Sequence, residues 1–119
     1  MNSMTGVLEE KSLKFAIRIV NLSKYLVNEK KEFIMSKQIL RSGTSIGANI
    51  AEAQYAQSKA DFLTKMHISL KEASETKFWL KLLHITSYIN DSQTSIIDDC
   101  DELLKLLTST CKTTKKEQL

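Results

Sequence analysis

The chain has 119 residues, a formal net charge of +3, 42% hydrophobic residues, three glycines and no proline. That length holds one modest core, and a composition rich in Leu, Ile, Lys, Glu and Ala favours long helices joined by short turns. No window approaches the ~18 consecutive apolar residues of a membrane span, and the start MNSMTGVLEEK lacks the apolar run of a signal peptide, so the expectation is a cytoplasmic protein with no membrane partner.

Residues 1–7 read as a frayed start, and a first helix is predicted over 8–28. It carries two adjacent apolar rows, Phe15, Ile19, Leu22, Leu26 and Leu13, Ile17, Val20, Val27, which make a stripe wider than one partner needs. Its opposite side bears Lys11, Lys14 and Arg18. NEKKE, residues 28–32, is a short charged turn.

A second helix is predicted over 33–57. Ile39, Ile46 and Ile50 share one face with Gly43, and Gly47 lies beside it. Two interior glycines cost roughly 1 kcal/mol each relative to alanine, so the expectation is that another helix backbone comes close there. A third row, Arg41, Ser45, Ala48 and Glu52, is small in the middle and charged at its ends; Arg41 and Glu52 are three turns apart and must pair with other helices.

Ser58 followed by Asp61 resembles a capping box and starts a third helix over 59–88. Phe62, Met66, Ala73, Leu80 and Leu83 recur close to a heptad, as near-parallel packing requires. Ile68, Glu72, Glu75 and Trp79 form a second ridge, in which a covered Glu72 carboxylate needs a donor. Asn90 to Ser92 make the last turn. A fourth helix over 94–110 places Ile96, Cys100, Leu103, Leu107 and Cys111 in register, starts with Asp98, Asp99, Asp101 and Glu102, and precedes a tail, 112–119, that reads as disordered.

Four amphipathic helices with short connections predict an all-α fold, an antiparallel up-down-up-down four-helix bundle. The two cysteines are ~16 Å apart along one helix, too far to pair, and read as core residues. His67 and His84 point away from each other with no ligand beside them, so no metal site and no cofactor are expected.

The segment SGTSIGANIAEAQ (42–54), followed by ISLKEASETKFWL (68–80), resembles the bacterial four-helix-bundle proteins encoded within intervening sequences of 23S rRNA genes. Its specific part is Ser45, Ile46, Asn49, Ile50, Ala51 and Glu52, with Ser69 and Glu72 later. The resemblance implies a homopentamer. It also suggests kinship with the accessory variability proteins of diversity-generating retroelements, and hence RNA or DNA and a reverse transcriptase as partners.

Three functions compete. Between Lys11 and Lys81 there are thirteen basic residues against six acidic ones, so Lys11, Lys14 and Arg18 on one helix and Lys71, Lys77 and Lys81 on another are candidate phosphate contacts. A protein-interaction scaffold would instead dock through the acidic start of the fourth helix or through Trp79. An enzyme is the weakest reading. No Glu precedes a His by three residues as a di-metal bundle needs, and no nucleophile has a base beside it, so no catalytic residue is assigned. Arg41, Gly43, Ser45, Ile46, Gly47, Asn49, Ile50, Glu52, Glu72 and Trp79 are assigned to helix packing or to a subunit interface.

Overall fold

The computed structural model describes residues 3–118. Four helices, α1 (Ser3–Asn28), α2 (Met35–Ala53), α3 (Lys59–Ile85) and α4 (Ser95–Gln118), follow one another with a single 3-10 turn, Asp91–Gln93, before the last. Each helix packs on its neighbours in chain order and α4 returns to α1. The result is the expected all-α up-and-down bundle, 48 Å long and about 20 Å across its two shorter axes. In this square arrangement α1 lies diagonally across from α3.

The core is the set of faces that the periodicity marks. Phe15, Ile19 and Leu26 of α1 meet Ile39, Ile46 and Ile50 of α2, Met66, Ala73, Leu80 and Leu83 of α3, and Cys100, Leu103 and Leu107 of α4. Ser69, buried in α3, donates its hydroxyl to the Ile46 carbonyl at 2.9 Å, and buried Thr76 donates to Ser42 at 2.9 Å. Burying these hydroxyls is tolerable because each has a partner, and together they fix α3 against α2.

Several helix ends differ from the expected ones. Of residues 1–7, Ser3 onward is helical and Leu8 is fully buried; residues 1 and 2 lie outside the described residues. α2 starts at Met35 rather than at Phe33 because the Glu32 carboxylate turns inward and accepts from the backbone N–H groups of Ile34 (3.2 Å) and Ser36 (2.8 Å), closing the helix start. It ends at Ala53, four residues early. Half of the expected capping box is present: the Ser58 side chain accepts from the Asp61 N–H at 3.0 Å, but the Asp61 carboxylate accepts from the Gln57 N–H at 3.1 Å rather than from that of Ser58. α3 stops at Ile85 because Ser87 takes a left-handed conformation (φ 67°) and the Tyr88 N–H turns back to the Leu83 carbonyl at 2.9 Å.

The largest correction concerns the tail. Residues 112–118 continue α4; Leu119 lies outside the described residues. Cys111 and Thr114 are buried, the Thr114 hydroxyl donates to the Thr110 carbonyl at 2.8 Å, and Lys59 pairs with Glu117 at 3.5 Å. Lys115 and Lys116 sit at the negative end of the helix dipole, which stabilises this last turn further.

Candidate interaction surfaces

The residues of the RSGTSIGANIAEA stretch divide by direction. Ile46 and Ile50 are fully buried, and Gly43 and Gly47 face α1 closely enough that an added Cβ would crowd Ile19 and Ser12. Ser45 and Asn49 turn back on their own helix: the Ser45 hydroxyl donates to the Arg41 carbonyl at 2.7 Å and Asn49 Nδ2 donates to the Ser45 carbonyl at 2.8 Å. The charged ends of this row reach α3. Glu52 pairs with Lys65 at 3.1 Å, and Arg41 bridges Glu72 (3.0 Å) and Glu75. The expected interhelical pairing of Arg41 and Glu52, and the donor for Glu72, are both present.

Glu75 is the centre of this cluster, since the Trp79 indole N–H also donates to it at 3.1 Å. These donations, Trp79 first and Arg41 second, hold the Glu75 carboxyl below the ordinary carboxylate range, and Glu75 in turn raises the Arg41 guanidinium. Because the folded state lowers this pKa, its contribution to stability is present at neutral pH and is lost as the pH falls through the lowered value. Half-exposure of Arg41 keeps that contribution small. Trp79→Phe should therefore move the Glu75 titration, followed by carboxyl NMR, back toward the ordinary value near 4.3. An unchanged titration would show that the indole donor has no hold on it.

The candidate phosphate-binding residues are largely engaged within the chain. Lys11 pairs with Glu102 at 3.1 Å, and Arg18 reaches Asp99 at 2.5 Å and the Ser95 hydroxyl at 2.8 Å. Lys77 pairs with Asp101 at 2.7 Å, and Lys14 with Glu10 at 3.0 Å. Three of the four carboxylates belong to the acidic start of α4, which is thus covered from α1 on one side and α3 on the other. Lys71 and Lys81 are exposed and, among the described residues, have no carboxylate partner.

A second basic surface emerges where a disordered tail was expected. Lys105, Lys112 and Lys116 lie within about 40° of one another around α4 at ~100° per residue, with Thr108, Ser109 and Thr113 alongside them in a shallow depression. All three lysines are exposed and, among the described residues, none has a carboxylate partner. Their spacing of seven and four residues could have shown this row, had the helix been extended past residue 110.

The first half of the second apolar row of α1 points outward, with Leu13 63% and Ile17 54% exposed, while Val20 and Val27 are half-buried. Beside it, Ser12, Ala16, Gly47, Ala48 and Ala51 floor a mainly apolar trough of about 330 Å³ between α1 and α2, with Glu9 at its edge. On the opposite corner, Phe78 (58%) and Ile85 (76%) stand out from α3 on either side of a hollow of about 410 Å³. The cysteines offer little chemistry. Burial pushes the Cys100 thiol up to about 12, its sulfur contacts the Ala73 carbonyl at 3.3 Å, and burial raises Cys111 as well. Among the described residues, no cluster of three metal-ligating side chains occurs and no helix is long and apolar enough to cross a membrane.

Comparison with known proteins fits this geometry. The model of the 23S rRNA-intervening sequence proteins matches residues 7–109, most of α1 through most of α4. The chain belongs to that family. A crystal structure of a protein of unknown function from the S23 ribosomal protein family of Bacteroides thetaiotaomicron is similar to it over 92% of this chain and 98% of that one, with 61% identity and a TM-score of 0.89. No curated protein matches. In this member of the family, the residues that carry the resemblance are architectural: Ile46 and Ile50 form core, Ser69 ties α3 to α2, and Glu52 and Glu72 take cations across the α2–α3 contact.

Proposed function

We propose that this protein is a non-enzymatic, self-assembling bundle, with five copies the expected number, whose work is done by the assembly's surface rather than by a catalytic pocket. The observation that carries this reading is the outward first half of the second row of α1. Leu13 and Ile17 are more than half exposed beside a trough floored by alanine and glycine. An apolar strip next to small residues admits a close helix contact, and a second copy is the partner always at hand.

Nucleic-acid binding is a second reading, supported by the unpaired row Lys105, Lys112 and Lys116 rather than by Lys11, Lys14 and Arg18. Cations already held by carboxylates must break an ion pair to meet a phosphate, whereas the α4 row need not. Repeating that row around an oligomer would multiply a weak contact.

Light scattering with and without a pool of RNA and DNA, at low and then high salt, tests both. The expected result is a mass near five chains that increases with nucleic acid only at low salt, because phosphate contacts release counterions and weaken steeply with salt. A mass of one chain at every concentration would end the assembly reading. A mass indifferent to nucleic acid at low salt would end the second.

A further inference from the structure

The trough between α1 and α2 and the ridge on α3 are two apolar features left uncovered on the bundle, and they complement each other. We propose that they meet between copies, the α3 ridge of one chain lying along the α1–α2 trough of the next in a head-to-tail contact. This rests on the self-assembly reading and specifies which surfaces perform it.

Shape is the first argument. Phe78, Leu82 and Ile85 follow one another at four and three residues on one helix face, the spacing with which a helix enters a groove. The trough is bounded by two helices and floored by Ala16, Gly47, Ala48 and Ala51, so a neighbouring helix can approach its backbone closely. The fit runs both ways. The hollow between Phe78 and Ile85 is open to a projecting aliphatic side chain, and Leu13, which lines the trough, is 63% exposed, with Ile17 one turn further along the same row of α1.

Charge is the second. At the trough, Glu10 is held by Lys14 and Glu52 by Lys65, but the Glu9 carboxylate has no cation among the described residues. At the ridge, Lys77 is held by Asp101, but Lys81 has no carboxylate among them. One unmatched acid borders the trough and one unmatched base borders the ridge. Docking ridge into trough brings opposite signs together, whereas trough on trough or ridge on ridge sets like charges on both sides of the contact.

Topology is the third. Because α1 and α3 are diagonal, the two surfaces face different sides of the bundle. A two-fold contact made by the trough alone would leave Phe78 and Ile85 in water. A head-to-tail contact covers both, and contacts of this kind continue from copy to copy until a ring closes.

Two variants, each altered only at exposed positions, test the pairing. Phe78→Glu with Ile85→Glu removes the ridge and leaves the trough; Leu13→Glu with Ala48→Glu removes the trough and leaves the ridge. Serine at the same four positions repeats the test without added charge, and circular dichroism confirms that each variant is folded. Each variant alone should run as one chain in light scattering, and an equal mixture should form a species of two chains and no larger, because one intact ridge meets one intact trough. If the ridge variant assembles like wild type, or the mixture remains at one chain, the pairing is wrong while self-assembly stands. If wild type itself runs as one chain, both readings fail together.

Discussion

Gly43→Leu should unfold far more easily than wild type, by about 3 kcal/mol, while Gly47→Ala should change stability by less than ~0.5 kcal/mol. The sequence treats the two glycines alike, as adjacent notches in one helix face. Their surroundings differ. A Cβ at Gly43 would stand 2.7 and 2.8 Å from the two γ carbons of Ile19 and 3.0 Å from its δ carbon, all inside van der Waals contact. Ile19 is fully buried and branched at Cβ, so those γ carbons cannot swing away without leaving their rotamer. Overpacking of this kind costs typically about 1–3 kcal/mol, and a leucine adds further atoms to the same space. Even alanine at Gly43, which gains roughly 1 kcal/mol in helix propensity, should be a net loss. At Gly47 the added Cβ would lie 3.2 Å from the Ser12 hydroxyl and 3.4 Å from its Cβ, a tight contact that a few tenths of an ångström relieve. There the propensity gain offsets the push. Denaturant melts of both alanine variants decide the matter, and equal destabilisation would show that the whole α1–α2 contact, not the Ile19 side chain, sets the limit. Ile19→Ala empties core volume and is destabilising by itself, but it should cost less in the Gly43→Ala background than in wild type, since it removes all three clashing atoms, and the double-mutant cycle measures that coupling.

How far the chain can be read without its structure depends on whether a feature is set by neighbours along the helix or by groups from elsewhere. The rows Phe15, Ile19, Leu22 and Leu26 of α1 and Ile39, Ile46 and Ile50 of α2 are periodic, and all of them are core. The Ser58 to Asp61 cap is equally local and equally legible. Arg41 and Glu52 could be assigned to other helices because their own helix offers no partner at the right spacing. Other features needed the third dimension. Lys11, Arg18 and Lys77 look like a basic face until α4 folds back and lays Glu102, Asp99 and Asp101 beside them. The end of α3 was hidden because the left-handed residue that stops it is Ser87, not the glycine or asparagine that usually marks such a stop. The stretch KTTKKEQL looks too polar to fold, yet Thr114 is buried with its hydroxyl satisfied on its own helix, so the helix continues and places Lys112 and Lys116 in line with Lys105. The last turns of α4 thus complete a whole basic surface.

Glu32→Ala should lower stability by about 2 kcal/mol, an effect out of proportion to a residue in a charged turn. NEKKE suggests a solvated connection, and four of its five residues are exposed; Glu32 is the exception, only 9% exposed. Its backbone N–H donates to the Leu26 carbonyl at 2.9 Å, covering the end of α1. Its carboxylate accepts from the Ile34 and Ser36 N–H groups, two donors at the start of α2 that have no carbonyl within the helix to reach. One side chain therefore joins the two helix ends, and the negative charge lies at the positive end of the α2 dipole. Truncation removes that charge and leaves the Ser36 N–H, on a fully buried residue, without an acceptor, a loss of about 1–3 kcal/mol for a buried donor. Because Lys31 is held in a left-handed conformation (φ 54°), which costs a non-glycine residue roughly 1–2 kcal/mol, the turn has strain to release once its anchor is gone. Glu32→Gln, which retains one acceptor oxygen but not the charge, should fall between the two. Amide exchange locates the effect: it should quicken at Ile34 and Ser36 and remain slow in the middle of α3. A melt identical to wild type would mean that solvent or another group caps α2 equally well, and the inward turn of Glu32 would then be only a consequence of the packing around it.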